Sequence, residues 1–296
     1  MRYHGLATAF LLGLLARLVP ADTNTTSSNI RAIYLFKDVM KSNTASLKTS
    51  GFNSLIMFGV GVTDNGDIMY YSNTPGSKDV LIASNGSYVG GQPLADKVRS
   101  FKEGNNTGIN RVEVSMNAQH IRDLMRSPGP GNTTRLYLNF QALKAAWNLD
   151  AVNNDDESIY DVSSTVSFAR MLGTMGYRYT IAPYTSSSFW SSVKTQLNKG
   201  LDDPILDRVY LQCYDGGAGN DPRSWQSTLG MKVVPLIWVT NDSKPSQGTT
   251  AAQAKSRFSG WTKSAMAGGG YWNDYDIEKM GLSYSAYGDV LTSVFP

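Results

Sequence analysis

The chain has 296 residues, one cysteine and a formal net charge of +3. The lone Cys213 cannot form an internal disulfide, so a large hydrophobic core must stabilise the fold. The small net charge argues against nucleic acid or an anionic membrane as a partner.

The N-terminal segment, residues 1–21, is typical of a secretory signal peptide. A basic start leads into an apolar stretch from Leu6 to Val19, and a small-residue cleavage pattern ends at Ala21. This stretch is short for a transmembrane helix, so we expect an exported protein without a membrane anchor. We also expect a monomer. Removal of the peptide also removes Arg2 and Arg17, which lowers the net charge from +3 to +1.

A leader rich in Thr, Ser and Asn, residues 22–29, is predicted to be disordered and to precede one domain over residues 30–296. Acceptor sequons for N-glycosylation agree with export, because each can place a glycan on a surface loop. Chance is the alternative explanation, since Asn, Ser and Thr are abundant. The sequons begin at Asn24, Asn85, Asn105, Asn132 and Asn241.

Short runs rich in β-branched and aromatic residues then alternate with amphipathic segments, which predicts parallel βαβ units. Eight units over this length predict a closed (β/α)8 TIM barrel in the α/β class. An open doubly wound sheet is the alternative, but no Gly-rich dinucleotide fingerprint follows the first strand. The predicted strands are Arg31–Phe36, Ser54–Val62, Arg111–Asn117, Ala146–Asn153, Tyr177–Tyr184, Arg208–Asp215, Lys232–Thr240 and Gly268–Asp276. The predicted helices are Leu94–Glu103, Ala118–Ser127, Val162–Met175, Phe189–Gly200, Trp225–Gly230 and Thr250–Met266.

The fourth predicted strand leads from apolar residues directly into a cluster of amides and carboxylates. Alternate side chains of a strand share a face, so Asn153, Asp155 and Glu157 align at about 7 Å per step. Neighbouring carboxyls resist double ionisation, which leaves one protonated near neutral pH and suited to general acid catalysis. The alternatives are a solvated loop, an acidic helix N-terminus, or a calcium loop, although the Gly of a hand-type calcium loop is missing.

The same cluster resembles the fourth-strand signature of glycoside hydrolase family 18, Asp-x-x-Asp-x-Asp-x-Glu. Asp150, Asn153, Asp155 and Glu157 are in register with it, and the Asp-Asp-Glu ending is closer to the family's endo-β-N-acetylglucosaminidases than to its chitinases. Three other strand ends are similar to the family in order and spacing. They contribute Ala182-Pro183, then Gln212, Tyr214 and Asp215, and finally Trp272.

The resemblance implies a TIM barrel that hydrolyses β-linked N-acetylhexosamine glycans by substrate-assisted retention, without a cofactor or metal. Glu157 would be the general acid and base, and Asp155 would orient the 2-acetamido group. Tyr214 would donate a hydrogen bond to the acetamido carbonyl. Gln212 would hold the sugar, and Trp272 would stack under its ring.

Further substrate contacts are predicted at Asn153, Asp215, Tyr184 and Asn117. Asn153 also marks a departure, because the family has Asp there, and an amide removes a negative charge while it can still hydrogen-bond Asp155. Ala151 replaces the usual Gly, and the segment 115–117 replaces a glycine-rich strand end. These departures leave two alternatives open: a carbohydrate-binding barrel without catalysis, and a hydrolase of another amino-sugar or neutral polysaccharide.

Several residues favour plainer roles. Asp150 has the opposite alternation from Asp155 and is predicted to be structural, while Asp156 and Asn154 are candidates to cap the following helix. Cys213 is interpreted as a small buried residue rather than a nucleophile. His120 is the only histidine left after the signal peptide, which excludes a His-rich zinc site. Among the tryptophans, Trp225 and Trp272 are best placed to meet a sugar.

Overall fold

The computed structural model describes residues 29–262 and 264–296, which contain a closed barrel of eight parallel strands. The first strand pairs in parallel with both the second and the last, and this double pairing closes the sheet. The predicted (β/α)8 barrel is therefore confirmed. The predicted signal peptide and the sequon at Asn24 lie outside the described residues. The strands in chain order are β1 Ile30–Leu35, β2 Ser54–Val62, β3 Ile68–Tyr70, β4 Val80–Ser84, β5 Ser87–Tyr88, β6 Arg111–Met116, β7 Ala151–Asn154, β8 Arg178–Ile181, β9 Leu206–Gln212, β10 Val234–Trp238 and β11 Gly268–Trp272.

Helices surround the barrel and bury one apolar face each. Polar side chains define where several of them begin: Thr134, Asp161 and Asn273 each accept a hydrogen bond from a first-turn backbone N–H. Within the described residues, no helix is long and apolar enough to cross a bilayer. The helices are α1 Thr44–Lys48, α2 Gln92–Arg99, α3 Ile121–Arg126, α4 Arg135–Trp147, α5 Val162–Thr174, α6 Ser187–Asn198, α7 Pro222–Leu229, α8 Ala251–Thr262, α9 Asp274–Lys279 and α10 Tyr284–Val294.

The hydrophobic core lies between the barrel and the helix layer. Every residue of β10 is buried, as expected for a parallel strand covered on both faces. Large aromatic side chains fill the layer, among them Phe140, Phe168 and Trp147, all with at most 1 % exposure. This single extensive core explains how the chain does without a disulfide. Cys213 is fully buried in it, and burial raises the pKa of its thiol to about 12.

The prediction was wrong about where the fourth barrel strand begins. Trp147 is the last residue of α4, and Asn148 ends that helix in a left-handed conformation with φ of 50°. The strand itself, β7, starts at Ala151. The buried residues of α4 at positions 136, 140, 143 and 147 have helical spacing, so the helix carries a signal that strand propensity obscured. The eighth strand also ends earlier than predicted, at Trp272, because α9 begins at Asp274.

The segment between β2 and α2, residues 63–91, contains strands that the sequence analysis did not predict, and it is here called the excursion. The strands β3, β4 and β5 extend the sheet antiparallel from the end of β2. Arg135 anchors this excursion, donating two hydrogen bonds to Asp67, and Asn139 of α4 donates to Gly66 O at 2.7 Å. The excursion therefore stands beside the carboxyl end of β2, at the same end of the barrel as the acidic cluster.

Three sequons lie on exposed loops and one does not. Asn85, Asn105 and Asn132 are exposed, as expected for glycan acceptors. Asn241 is only 2 % exposed, its Nδ2 donates to Val239 O, and its Oδ1 accepts from Lys244 N at 2.6 Å. The expectation of a surface position is therefore wrong for Asn241, whose side chain folds the loop after β10.

Candidate active site

The two predicted catalytic carboxyls follow β7 at the carboxyl end of the barrel. Asp155 continues the strand geometry, since its N–H donates to Met116 O at 2.9 Å. The turn beyond it is fixed by Asp156, whose carboxylate accepts three backbone N–H bonds from residues 158–160. The prediction that Asp156 or Asn154 caps the next helix was wrong, because Asp161 does so. Asp156 instead holds the loop that presents Asp155 and Glu157.

Two cavities meet at these carboxyls. One, here called the Trp272 cavity, has a volume of about 670 Å³, and the other, the Asn117 cavity, about 580 Å³. Phe58, Asp155 and Glu157 line both. The Trp272 cavity also contains Phe36, Tyr184, Gln212, Tyr214, Asp215, Gly216, Trp238, Ser243, Trp272, Asn273, Tyr275, Asp276 and Lys279. The Asn117 cavity also contains Gly59, Val60, Tyr71, Asn73, Ser115, Met116, Asn117, Gln119 and Ser158.

The carboxyl pair has the electrostatics that the sequence predicts. Burial raises the pKa of Asp155 to about 7, and the negative charges of Glu157 and Asp156 contribute to the rise. Partial burial also raises the pKa of Glu157, although the nearby amide of Gln212 opposes this. The pair therefore retains a proton closer to neutral pH than two exposed carboxyls would.

Residues from the end of β9 surround the pair. Gln212 Nε2 donates to Asp155 Oδ1 at 3.1 Å and to Ala182 O at 2.9 Å, which fixes the amide orientation. Tyr214 is buried, and burial together with the charges of Asp155 and Glu157 raises the pKa of its hydroxyl well above its ordinary value. Its hydroxyl is thus a hydrogen-bond donor across the neutral pH range.

An aromatic cluster forms the wall opposite the carboxyls. Trp272 stacks parallel to Tyr214 at 6.3 Å between ring centroids, and it meets the edges of Phe58 and Phe36 at 4.8 and 5.5 Å. Tyr34 packs on the same indole at 5.4 Å. Trp272 is partly exposed, so one part of this large apolar surface faces the cavity.

Among the described residues, Asn153 makes no hydrogen bond to Asp155, and it does not line either cavity. Its side chain is fully buried inside the barrel, where Nδ2 donates to Thr180 Oγ1 at 2.9 Å and Oδ1 accepts from Tyr34 Oη at 3.0 Å. The Asn153 amide thus hydrogen-bonds Thr180 and Tyr34 and not Asp155 as predicted, and its position outside the lining of both cavities does not favour the predicted substrate contact. Asp150 is structural as predicted, accepting from Val112 N and Lys102 Nζ.

The Asn117 cavity contains more amide groups and fewer rings. Asn117 Oδ1 is buried and has no hydrogen-bond partner among the described residues, and the same is true of Ser115 Oγ. Tyr71 lies against β2 at Gly61, where a Cβ atom would come within 2.2 Å of its hydroxyl oxygen. A side chain at Gly61 would therefore displace the Tyr71 ring from this wall. Sequence reasoning missed Tyr71 and Asn73 because both belong to the unpredicted excursion.

Ion pairs join the loops at the rim of the Trp272 cavity. Asp215 pairs with Lys244 at 2.6 Å across the loops after β9 and β10, and both side chains are about half exposed. Lys279 pairs with Asp242 at 2.6 Å and with Asp276 at 3.0 Å. Tyr184 lies on the same rim, where its ring packs against Gly216. The predicted residue Asp215 is thus held by a cation rather than free.

Of the two tryptophans predicted to meet a sugar, Trp272 lines the cavity at the carboxyls and Trp225 does not. Trp225 is 7 % exposed, donates its indole N–H to Asn220, and does not line the Trp272 cavity. Trp238 lines that cavity instead, and its N–H donates to Asp276 Oδ2 at 2.7 Å. The signal was available, because Trp238 is the last residue of a barrel strand, where functional side chains are expected.

The chain is similar to known proteins in structure but not in sequence. No protein-family model matches the chain, and no curated protein sequence matches it. A chitinase from Bacteroides thetaiotaomicron is similar with a TM-score of 0.60 and 11% identity, over 91% of this chain and 97% of that one. The Bacillus cereus spore cortex-lytic enzyme SleL gives 0.58 and 11%, over 91% and 75%. An Ostrinia furnacalis Group IV chitinase in complex with allosamidin gives 0.57 and 10%, over 90% and 98%.

The chain has a chitinase-like fold. This fold agrees with the resemblance of its strand-end motifs to glycoside hydrolase family 18. At 10–11% identity, the structural similarity shows only that the barrel fold is shared. What the site does must be argued from its own residues.

Proposed function

We propose that the protein is an exported glycoside hydrolase that cleaves β-linked N-acetylhexosamine glycans by a substrate-assisted retaining mechanism. The single observation that carries this is the position of Asp155 and Glu157. Both carboxyls have raised pKa values, and both lie where two sugar-sized cavities meet. The structural similarity to chitinases and to a cortex-lytic enzyme supports the same class of substrate.

The chemistry begins with the two carboxyls and the 2-acetamido group of the sugar in the Trp272 cavity. Glu157 protonates the glycosidic oxygen as the C–O bond breaks. The acetamido carbonyl oxygen attacks the anomeric carbon and forms an oxazolinium ion, whose N–H hydrogen-bonds to Asp155. Tyr214 donates to the acetamido oxygen and holds it in line for attack. Glu157 then removes a proton from water, which opens the oxazolinium with retention.

The two cavities favour endo action. A glycan that crosses Asp155 and Glu157 has one sugar on Trp272 and continues into the Asn117 cavity, so the chain extends to both sides of the broken bond. Allosamidin, which forms a complex with the Ostrinia furnacalis chitinase of similar fold, is accordingly a candidate inhibitor of this protein.

A carbohydrate-binding barrel without catalysis is the second candidate, and Asn153 is the observation that favours it. With Asn153 turned towards Thr180 and Tyr34, Asp155 lacks the neighbouring carboxyl that the family pattern provides. In this case the cavities would bind glycans and release no products.

The deciding experiment compares the wild type with Glu157→Gln on N-acetylated chitin oligomers, matched deacetylated oligomers and an N-glycoprotein. We expect new reducing ends from an acetylated substrate with the wild type, none from the deacetylated oligomers, and a loss of about 10²–10⁴-fold with the variant. Equal rates for the two proteins would refute the role of Glu157. Glycan binding without any product would favour the second candidate.

A further inference from the structure

A large cavity in the helix layer shares no lining residue with the two cavities at the carboxyls. Its volume is about 760 Å³, and it is here called the α4–α5 groove. One face of α5 lines it, because Val162, Val166, Arg170 and Thr174 recur every four residues along that helix. At 1.5 Å per residue this face is about 18 Å long, so the groove suits an elongated ligand.

The α4–α5 groove combines an apolar floor with a polar rim. Val166 and Met171 are 5 % and 3 % exposed, and the half-buried ring of Tyr137 from α4 lines the groove beside them. Ser163 and Arg170 are exposed and supply polar groups at its edge. A sugar ring has a face of C–H groups and an edge of hydroxyls, so it can pack on such a floor and hydrogen-bond to such a rim.

An acceptor for N-glycosylation lies in the wall of this groove. Asn132 begins the sequon Asn132-Thr133-Thr134, is exposed, and lines the groove just before α4. The turn that carries it is closed by two hydrogen bonds to Gly131 O, from Thr134 N at 3.0 Å and from Thr134 Oγ1 at 2.8 Å. Thr134 also caps α4, so the acceptor is held in place relative to the groove.

We propose that the α4–α5 groove binds the protein's own N-glycan, attached at Asn132. The covalent link keeps the first sugars at a millimolar or higher effective concentration, on the order expected for a short tether, so weak contacts suffice. Their N-acetyl methyls and C–H faces cover Val166 and Met171, and their hydroxyls meet the rim. The bound glycan thereby stabilises a fold that has no internal disulfide.

The modification itself requires only the expected export. A sugar attached to a lipid diphosphate in the host secretory pathway is the donor. The bond from its anomeric carbon to the diphosphate oxygen breaks, a bond to Asn132 Nδ2 forms, and this nitrogen loses one proton. The inference goes beyond the proposed hydrolysis and does not depend on it.

The first test compares two acceptors in the same molecule. The full chain is produced through the secretory pathway of a eukaryotic host, and glycopeptide mass spectrometry measures which acceptors are modified. A peptide:N-glycosidase then acts on the native protein, and glycan release is followed at Asn132 and at Asn105, an exposed acceptor that does not line the groove. We expect release from Asn132 to be slower by about tenfold or more, and the two rates to be equal after denaturation.

Three results of this test would overturn the proposal. One is an unmodified Asn132, and another is equal release from Asn132 and Asn105 in the native protein. The third is a difference that persists after denaturation, because it would arise from the local sequence. Glu157→Gln is measured in parallel, so that trimming by the protein itself is distinguished from protection by the groove.

The second test fills the groove. Ser167→Arg places a long side chain in it, and Ser163→Arg repeats the change at a more exposed position. Ser256→Arg, on the exposed face of α8, is the matched control. We expect both groove variants to raise the release rate at Asn132 to that at Asn105, and the control to leave it unchanged. Continued protection in the groove variants would show that the glycan is bound elsewhere.

Thermal unfolding measures the stabilisation. Asn132→Gln should lower the Tm by about 2–4 °C, whereas Asn105→Gln should leave it unchanged. In the Ser167→Arg background, Asn132→Gln should no longer have an effect, because the glycan is already displaced. Equal losses from Asn132→Gln in both backgrounds would contradict the proposal, since a glycan that is not bound in the groove acts independently of it.

Discussion

The Trp272 cavity and the Asn117 cavity meet at the same two carboxyls and differ in what surrounds them. The first has an indole floor and a rim of paired charges. The second presents amides, including an Asn117 oxygen that has no hydrogen-bond partner in the described part of the chain. A flat ring surface holds a sugar by area and fixes its plane, whereas amides hold it by directed hydrogen bonds. We infer that the reacting sugar is positioned rigidly on Trp272 and the leaving sugar is held more loosely.

Among the substitutions that test this comparison, the largest effect is expected at Asp155, where the two cavities meet. Asp155→Asn should lower kcat by about 10²–10³-fold, because an amide cannot balance the charge of the oxazolinium. KM should change little, since the lost interaction develops in the transition state. Steady-state kinetics on a chitin oligomer measures both constants. A variant with normal kcat would contradict the role of Asp155.

The same substitution should change how stability depends on pH. The folded state raises the pKa of Asp155 from 3.8 to about 7, so it binds this proton more tightly than the unfolded state. The resulting stabilisation is complete below the unfolded pKa and is lost as pH rises through 7. Asp155→Asn should therefore be more stable than the wild type at pH 8, by on the order of 2 kcal/mol, with no such gain near pH 4.

Urea unfolding at the two pH values measures this difference. Glu103→Gln is the matched control, because this exposed carboxyl follows α2 at the opposite end of the barrel. A pH-independent effect of Asp155→Asn would argue against a proton bound in the folded state.

Replacing the indole floor tests the Trp272 cavity alone. Trp272→Phe should reduce kcat/KM by about tenfold, because the smaller ring loses stacking area under the reacting sugar. Trp225→Phe is the control for a tryptophan outside the cavity, and we expect its kcat/KM to match the wild type. Comparable losses in the two variants would point to a general effect on the fold, which thermal unfolding would reveal.

A weaker effect is expected in the Asn117 cavity. Asn117→Ala should raise KM about two- to tenfold for substrates long enough to enter this cavity, through the loss of one hydrogen bond. Short substrates with a small leaving group should be unaffected. The contrast between a long oligomer and an aryl glycoside of the same reacting sugar measures this. An equal loss on both substrates would place Asn117 in the reacting half.

The rim ion pair should contribute least. Lys244→Met removes the partner of Asp215, and both side chains are about half exposed, so the effect on kcat/KM should be about twofold or less. Adding 0.5 M salt to the wild type should have a similar effect, since salt screens such pairs to within about one Debye length. A tenfold loss would assign the pair a direct contact with substrate.

The barrel was predictable because the residue pattern within each strand identifies it as a buried strand. Continuous apolar runs such as β10 identify buried parallel strands, and their regular alternation with helices leaves few topologies. The bounds of β7 were not predictable in the same way. Trp147 and Leu149 suit a strand by propensity. Tertiary packing nevertheless places Trp147 at the end of α4, and the strand begins only at Ala151.

The site was predictable where a strand end supplied the residue. Asp155, Glu157 and Tyr214 follow barrel strands, Trp272 is the last residue of one, and all four line one cavity, as the alternation and motif spacing predict. Asn153 has the same alternation as Asp155 but is buried inside the barrel, outside the lining of both cavities. Sequence could not indicate this, because the partners that retain it, Thr180 and Tyr34, come from other strands.

The excursion between β2 and α2 has a consequence for how this protein can diversify. It supplies Tyr71 and Asn73 to the wall of the Asn117 cavity, yet neither residue belongs to a barrel strand. It is attached by antiparallel pairing of β3 with β2, by buried side chains such as Ile82, and by polar contacts with α4 such as Arg135 with Asp67. Under the proposed function, a change of this segment would alter which leaving groups are accepted, while Asp155, Glu157 and Trp272 stay unchanged.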